Sequence, residues 1–419
     1  MSTLIQSATI IDSSSPFHLQ KKDILIIDGV IKKIQNFIPV KPEFTIVTFD
    51  NLHVSCGWFD TSVSFGEPGF EERENIANGL STAAKSGFTA VAINSNTNPF
   101  IDNKSAVEFL INKARNFATN LHPIASLTQK SEGDDIAELF DMKQSGAVAY
   151  SDYNKSIIND NLMKIALLYA QNFDGLVLSF PQNSSIAGKG LANEGVISTK
   201  LGLIGIPALA EHIQIARDLF LLEYTGGKLH IPTITTQKSV SLIKDAKKKG
   251  LNITCSVSAH HLILTDDELL TFDSNKKVIP PLRTKKDCKA LIKGVKDGTI
   301  DMITSDHNPI DIEYKKIEFS SAKYGTIGLE SLFGAINTVL PLEDSIRCLT
   351  TKPRERFKIK QPIIAENETA EITFFTPTIS YVFGFENILS TSKNSVFLGK
   401  ELNGKAYGIY ANNKLVINQ

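Results

Sequence analysis

Residues 57–72 read GWFDTSVSFGEPGFEE. The first half has the texture of a buried strand that alternates through Thr61, Ser62, Val63 and Ser64. It breaks at the Gly66–Gly69 turn. Two small hydroxyls, two residues apart, leave the same face of the strand just before a loop. That spacing suits a metal-binding pair, but the residue types do not. The same strand opens an alternating pattern. Seven further apolar runs follow: FTAVAINS from Phe88, HPIASL from His122, AVAYSD from Ala147, GLVLSF from Gly175, KLHIPTI from Lys228, NITCSVS from Asn252 and DMITSD from Asp301. Amphipathic stretches such as KSAVEFLINKARNF, NDNLMKIALLYAQNF and SVSLIKDAKKKG lie between them. Eight strands alternating with helices predict an α/β protein built on a (β/α)8 TIM-like barrel. Functional residues are then expected at the C-terminal ends of the strands. An open doubly wound sheet is the competing architecture, but no G-x-G-x-x-G follows the first strand.

The two ends of the chain differ from its middle. DILIIDGVIKKI carries an Asp28-Gly29 hairpin turn, and AYGIYANNKLVIN turns at Asn412-Asn413. The segment AEITFFTP from Ala370 is also β-rich. These features predict a small composite β-sandwich from residues 1–52 and 360–419, flanking a barrel over 53–359. The length of 419 residues accommodates both units. A formal net charge of −1 gives no reason to expect nucleic acid or an anionic membrane as partner. No apolar run reaches membrane-spanning length, and the N-terminus lacks a basic-then-apolar leader, so cytoplasmic residence is expected. Cys56, Cys255, Cys288 and Cys348 form no Cys-x-x-Cys pair and read as reduced core thiols.

The predicted strand ends hold Ser62, Ser64, Asn96, Asp152, Ser179, Thr233 and Asp306. A polar residue commonly ends a strand because a loop begins there. Seven together, two of them carboxylates, favour a pocket.

Several longer stretches carry a resemblance: EPGFEERENI, NTNP at 96–99, GLANEGVISTKLGLIGIPALAEHIQIARD, HHLILTDDEL, PPLRTKKD, GTIDMITSDHNP, GTIGLESLF and SKNSVFLGKELNGKAYG. Together they resemble dihydroorotases, cyclic amidohydrolases of pyrimidine synthesis, in the bacterial class related to the dihydroorotase domain of multifunctional enzymes. The resemblance implies a barrel with a composite sandwich and a reaction that reversibly hydrolyses dihydroorotate to carbamoyl aspartate. It also implies one or two zinc ions that activate water, with a strand-end aspartate shuttling the proton.

Residue by residue, the resemblance implies a degenerate site. In the family's Asp-x-His-x-His-x-Arg motif, Asp60 matches, the histidines fall on Ser62 and Ser64, and the substrate-gripping arginine falls on Gly66. Two later histidines fall on Ser179 and Thr233, although His230 survives. The asparagine before Pro-Pro-Leu-Arg is Ile279, and a substrate-binding histidine is Ile310. Asp152, Asn96 and Asp306 are retained, and Asp306 is the catalytic residue in any active version. Serine and threonine hydroxyls are poor zinc ligands, so no metal or other cofactor is expected. Gly66 lacks the charge to pair with a substrate carboxylate. His307 is read as orienting the strand end, and His260-His261 as structural. The expectation is a dihydroorotase-like protein without activity that forms a homo-oligomer and acts as a structural partner of aspartate carbamoyltransferase. The alternatives are an active hydrolase rebuilt on Asp152, Asp306 and His307, and a metal-free metabolite-binding module. Asp152 and Asp306 are expected to share a water-filled pocket, with space beside Gly66.

Overall fold

The computed structural model describes residues 2–418. All eight expected barrel strands are present: Trp58–Val63, Phe88–Ile93, Asn120–Ala125, Ala149–Tyr150, Val177–Leu178, Leu229–Ile231, Ile253–Ser258 and Met302–Thr304. They form one parallel sheet in sequence order. The ring closes where Val63 bridges His307 and the Ser64 amide donates to the His307 carbonyl at 2.7 Å. Helices between the strands bury their apolar faces on the outside of the ring. Asn75, Asn103, Asn159, Thr236 and Thr284 cap helix starts by accepting backbone N–H bonds.

The inward side chains obey strand alternation. Phe59, Ala90, Ala92, Ile124, Ala149, Leu178 and Met302 fill the lower barrel. Val91, Val177 and Ile303 instead join the larger core between strands and helices.

Strands from both chain ends build the second unit. Eight of them form one mixed sheet around a core that includes Ile5, Ile24, Val54, Ile372 and Tyr410. The strand Ser2–Ile10 bulges between Ile5 and Ala8, where Ser7 has φ 52°. Its first half pairs with Phe44–Val47 and its last residues with His53–Cys56. Such a bulge lets one strand serve two edges and turn a corner. Asp28-Gly29 and Asn412-Asn413 make the expected two-residue turns, all four residues having positive φ. The strand His53–Cys56 also pairs with Ile372–Phe375, so the sheet extends past the 52/53 boundary read from sequence. Buried Arg354 fastens the two units. Its guanidinium donates to the Gly57 and Lys360 carbonyls and pairs with Glu371. The four cysteines are free and buried. Among the described residues, no helix is long and apolar enough to cross a membrane.

Candidate functional site

The C-terminal ends of the strands surround a cavity of about 20 Å³. That is room for about one water molecule. Ser62, Thr233, Ile279 and Asp306 line it, together with Tyr153 and Phe180.

Asp306 sits at the closure of the ring with φ 51°, a left-handed conformation that Asp tolerates better than most residues. It accepts a hydrogen bond from the Ser62 hydroxyl at 3.3 Å. Burial, reinforced by the nearby Asp60 carboxylate, pushes its carboxyl up to about 7. Asp60 is fully buried and better supplied: it accepts from the Ser62 and Ser305 amides at 3.2 and 3.0 Å and from the Thr304 hydroxyl. Burial raises its carboxyl too, while those donors oppose the shift. The better-hydrogen-bonded Asp60 therefore carries the charge more easily, and Asp306 is the member of the pair that keeps a proton up to about pH 7. Asp60 acts as a clasp between the first and last strands.

A hydroxyl and amide network occupies the rest of the mouth. The Asn94 amide donates to the hydroxyls of Ser62 at 3.2 Å and Ser64 at 3.3 Å. The Tyr153 phenol lies close enough to Ser64 and Asp306 for both to influence its ionisation. Burial pushes that phenol far above its ordinary range, so it stays neutral. His230 survives as expected, but its ring nitrogens are engaged by Thr254 at 2.9 Å and Ser256 at 3.2 Å. Burial holds it well below the ordinary imidazole range.

Several expected positions do not converge on this cavity. The Asp152 carboxylate turns away and accepts from the Leu127 and Thr128 amides at 2.9 and 3.0 Å and from the Thr128 hydroxyl. The acid facing Asp306 is Asp60, not Asp152. Tyr153, next in the chain, has φ 56°, and that bend sends its side chain into the mouth. The Ser179 hydroxyl donates outward to Asp218 at 2.6 Å. Leu178 faces inward, so alternation turns Ser179 out and gives the cavity to Phe180. Ile310 is buried under a neighbouring loop, where its amide donates to Asn394 at 3.1 Å. Asn96 is half-buried with its side-chain oxygen lacking a partner.

His307 is fully buried and turned away from Asp306. Its Nδ1 accepts from the Gly328 amide at 3.2 Å, its ring meets Phe65 edge-on, and burial lowers its pKa to about 3. It is therefore a neutral orienting residue. His260 and His261 are likewise buried and share the Ser258 hydroxyl. The space expected beside Gly66 is absent. A Cβ there would lie 1.8 Å from the Phe70 carbonyl oxygen. The Gly66 amide also donates to the Glu74 carbonyl at 2.7 Å, and the Phe70 amide returns to the Gly66 carbonyl at 2.8 Å. This loop is closed on itself.

These residues do not fit zinc. Among the described residues, no group of three or more His, Cys, Asp or Glu side chains is placed to hold a metal ion. Of those lining the cavity, Asp306 and His230 have zinc-binding chemistry, but the former has no second free ligand beside it and the latter's nitrogens are already bonded. No lysine or arginine among the described lining residues balances Asp306.

Asn94, Tyr153 and Phe180 were not singled out from the sequence. Strict counting of alternation from Leu178 finds Phe180. Nothing in the sequence signals the bend at Tyr153.

A family model described as "Dihydro-orotase-like" matches residues 53–239. A dihydroorotase of Caldicellulosiruptor saccharolyticus is 39% identical over 421 residues, covering 99% of this chain and 98% of that protein. One from Geotalea daltonii is 35% identical over 422 residues, covering 99% of each. Among solved structures, the L-hydantoinase from Arthrobacter aurescens superposes with a TM-score of 0.83 at 18% identity, covering 100% of this chain and 97% of that one. The hydantoinase likeness establishes the fold. The full-length relatives establish more: this chain belongs to the dihydroorotase family.

Proposed function

We propose that this chain is a dihydroorotase-family protein of pyrimidine biosynthesis without dihydroorotase activity, which acts as a structural partner of aspartate carbamoyltransferase. The observation that carries the first half is the Ser64–Asn94–Ser62–Asp306 network, with the Tyr153 phenol beside it. It lines the barrel mouth with neutral hydroxyls, an amide and a carboxyl pushed up to about 7. Hydrolysis of a ring amide at neutral pH needs a water of lowered pKa, which zinc supplies where imidazole and carboxylate ligands hold it. Here the described residues of the mouth offer no ligand set to hold that ion, and about 20 Å³ does not admit a pyrimidine ring. Closure of the loop at Gly66 leaves no path for an arginine-like contact to a substrate carboxylate. The rearranged hydrolase loses support because Asp152, Asp306 and His307 face three different environments. The metabolite sensor finds no room in the cavity that Asp306 lines.

The partner half rests on the resemblance. A chain that keeps the family's barrel, composite sheet and loop framework after its site has closed retains a shape for others to bind. Two measurements test the reading. Dihydroorotate hydrolysis is expected to match a buffer control with or without added zinc, and turnover sensitive to Asp306→Asn would overturn the inactive reading. Mixing with aspartate carbamoyltransferase from the same organism is expected to give a co-eluting complex. Independent elution at tens of micromolar would remove the partner.

A further inference from the structure

A second and larger cleft opens on the same rim of the barrel, between the loops that follow the third, fourth and fifth strands. Its volume is about 300 Å³, against about 20 Å³ at the mouth. That reaches the range of roughly 300–1,000 Å³ in which small-molecule sites fall. Asn154 and Phe180 line both spaces, so the two share a wall. Asp152, which does not line the mouth cavity, lines this cleft. Its carboxylate fastens the loop after the third strand through the Leu127 and Thr128 amides. The Thr128 hydroxyl in turn accepts from the Gly133 amide at 2.9 Å, and the Asp152 carbonyl accepts from the Lys155 amide at 3.2 Å. The cleft is therefore built on a bonded frame, and that frame is what Asp152 holds.

The side chains of the cleft define what it can take. Lys155 is exposed, and its ammonium donates to the Ser131 carbonyl at 3.1 Å while standing over the Phe100 ring, 5.0 Å from the centroid. Among the described residues no carboxylate forms an ion pair with it, and a single carbonyl bond leaves ammonium hydrogens free for an anion. Glu132 lines the same cleft, so the charges suit one negative group and repel a polyphosphate. Gln182 has the opposite need. Its side-chain oxygen is buried and has no hydrogen-bond partner among the described residues, a state that a ligand N–H relieves. Phe180 and the exposed Ile158 add apolar surface. We propose that this cleft binds a small carboxylate carrying an amide N–H on a flat or apolar body, with Lys155 pairing the carboxylate, Gln182 accepting from the N–H and Phe180 meeting the body. The cleft is a different space from the mouth, and its ligand does not depend on whether the mouth is catalytically silent.

Titration calorimetry on the full chain tests the proposal with N-benzoylglycine and pyroglutamate, each of which joins a carboxylate to an amide N–H on a compact body. At least one is expected to bind once per chain with Kd below about 1 mM, the strength expected of ligands with about ten heavy atoms. Lys155→Met, at an exposed position, is expected to weaken binding about tenfold. Replacing the probe's carboxylate by a carboxamide should cost the unaltered chain as much and the Lys155→Met chain little, which assigns the contact. Gln182→Leu should also weaken binding about tenfold, and methylating the probe's amide nitrogen should do the same only where Gln182 is present. Ser184→Trp fills the cleft from an exposed lining position and is expected to abolish binding. The Lys155 comparison stands on its own should that variant fold poorly. Kd above about 1 mM for both probes, or a Kd indifferent to Lys155→Met, Gln182→Leu or a folded Ser184→Trp, would overturn the proposal. So would a carboxamide that binds the unaltered chain as well as the carboxylate does.

Discussion

Asp306 and Glu211 are both buried carboxylates near the barrel mouth, yet their surroundings are opposite. Glu211 accepts from the Thr235 and Thr236 amides at 2.9 and 3.1 Å, from both threonine hydroxyls, and from Ser239 at 2.5 Å. Arg283 lies 3.8 Å away, itself bonded to Thr235, Asn193 and the Ile206 carbonyl. Asp306 has one long hydrogen bond and an acidic neighbour. The first arrangement organises the loops that follow the fifth to seventh strands. The second is a buried acid without a counter-charge. The loops around the mouth are thus held by the Glu211–Arg283 cluster and not by Asp306.

The largest expected effect falls on the framework. Glu211→Ala strands several buried donors and leaves Arg283 without its anion, a loss of about 3–5 kcal/mol. Urea unfolding should show it as a shifted midpoint with unchanged slope. If Glu211→Ala costs no more than Asp306→Ala, the contrast between the two carboxylates fails.

Asp306 should show its cost through pH. Its folded pKa is raised from 3.8 to about 7. The folded state therefore binds this proton more tightly than the unfolded chain does. The associated stability is fully present below about pH 4 and is lost as pH rises through 7. Three units correspond to at most about 4 kcal/mol. Glu74, also raised to about 7 chiefly by burial, contributes with the same sign. Asp306→Asn keeps an acceptor for Ser62 and tolerates the left-handed backbone. It is expected to flatten part of the decline between pH 4 and 7 and to be about 2 kcal/mol more stable than the unaltered protein at pH 8. Parallel pH profiles for the two proteins would show that Asp306 is not the proton-holding acid.

The sequence revealed the eight barrel strands because buried parallel strands are short apolar runs bounded by loops. It revealed the composite sheet through two turn dipeptides. At the mouth it was a weaker guide. Ser62 lines the cavity from within a strand, where alternation sets its direction, while Thr233, Ile279 and Asp306 reach it from loops. Asp152, Tyr153 and Ser179 lie where the strands end. There, the backbone bend at Tyr153 and the outward turn of Ser179 toward Asp218 decide which way side chains point. Gly66 is instructive in another way. A missing side chain suggests space, but the carbonyl of Phe70 had already filled it.

Tyr153 offers a smaller and more local test. Tyr153→Phe removes the phenol hydroxyl beside Ser64 while keeping the ring, for an expected loss of about 1 kcal/mol. Adding Ser64→Ala to that variant should then cost little, because the two hydroxyls serve each other; a double-mutant cycle measures this coupling. Full additivity would mean that the phenol and serine act independently and that the mouth is less closed than its network implies.

The smallest expected effect is the one a metal-holding relative would make large. A ligand that binds only the folded state stabilises it in proportion to the logarithm of its concentration over Kd, about 4 kcal/mol at a thousandfold excess. For a barrel of this size that corresponds to several degrees of melting temperature. With no group of His, Cys, Asp or Glu among the described residues placed around a metal, both His230 nitrogens engaged and Tyr153 beside Ser64, added zinc should find no such site. The melting temperature is expected to stay within about 1 °C when zinc or a strong chelator is added, measured by calorimetry at pH 7.5. The Ser62→His/Ser64→His variant should behave the same way while Tyr153 remains, because imidazoles at those positions would have to displace the phenol. Combining those changes with Tyr153→Gly sharpens the contrast: if zinc stabilises only that triple variant, the phenol is the physical barrier to the metal. If zinc stabilises the unaltered chain, the donors rearrange in solution and the site is open.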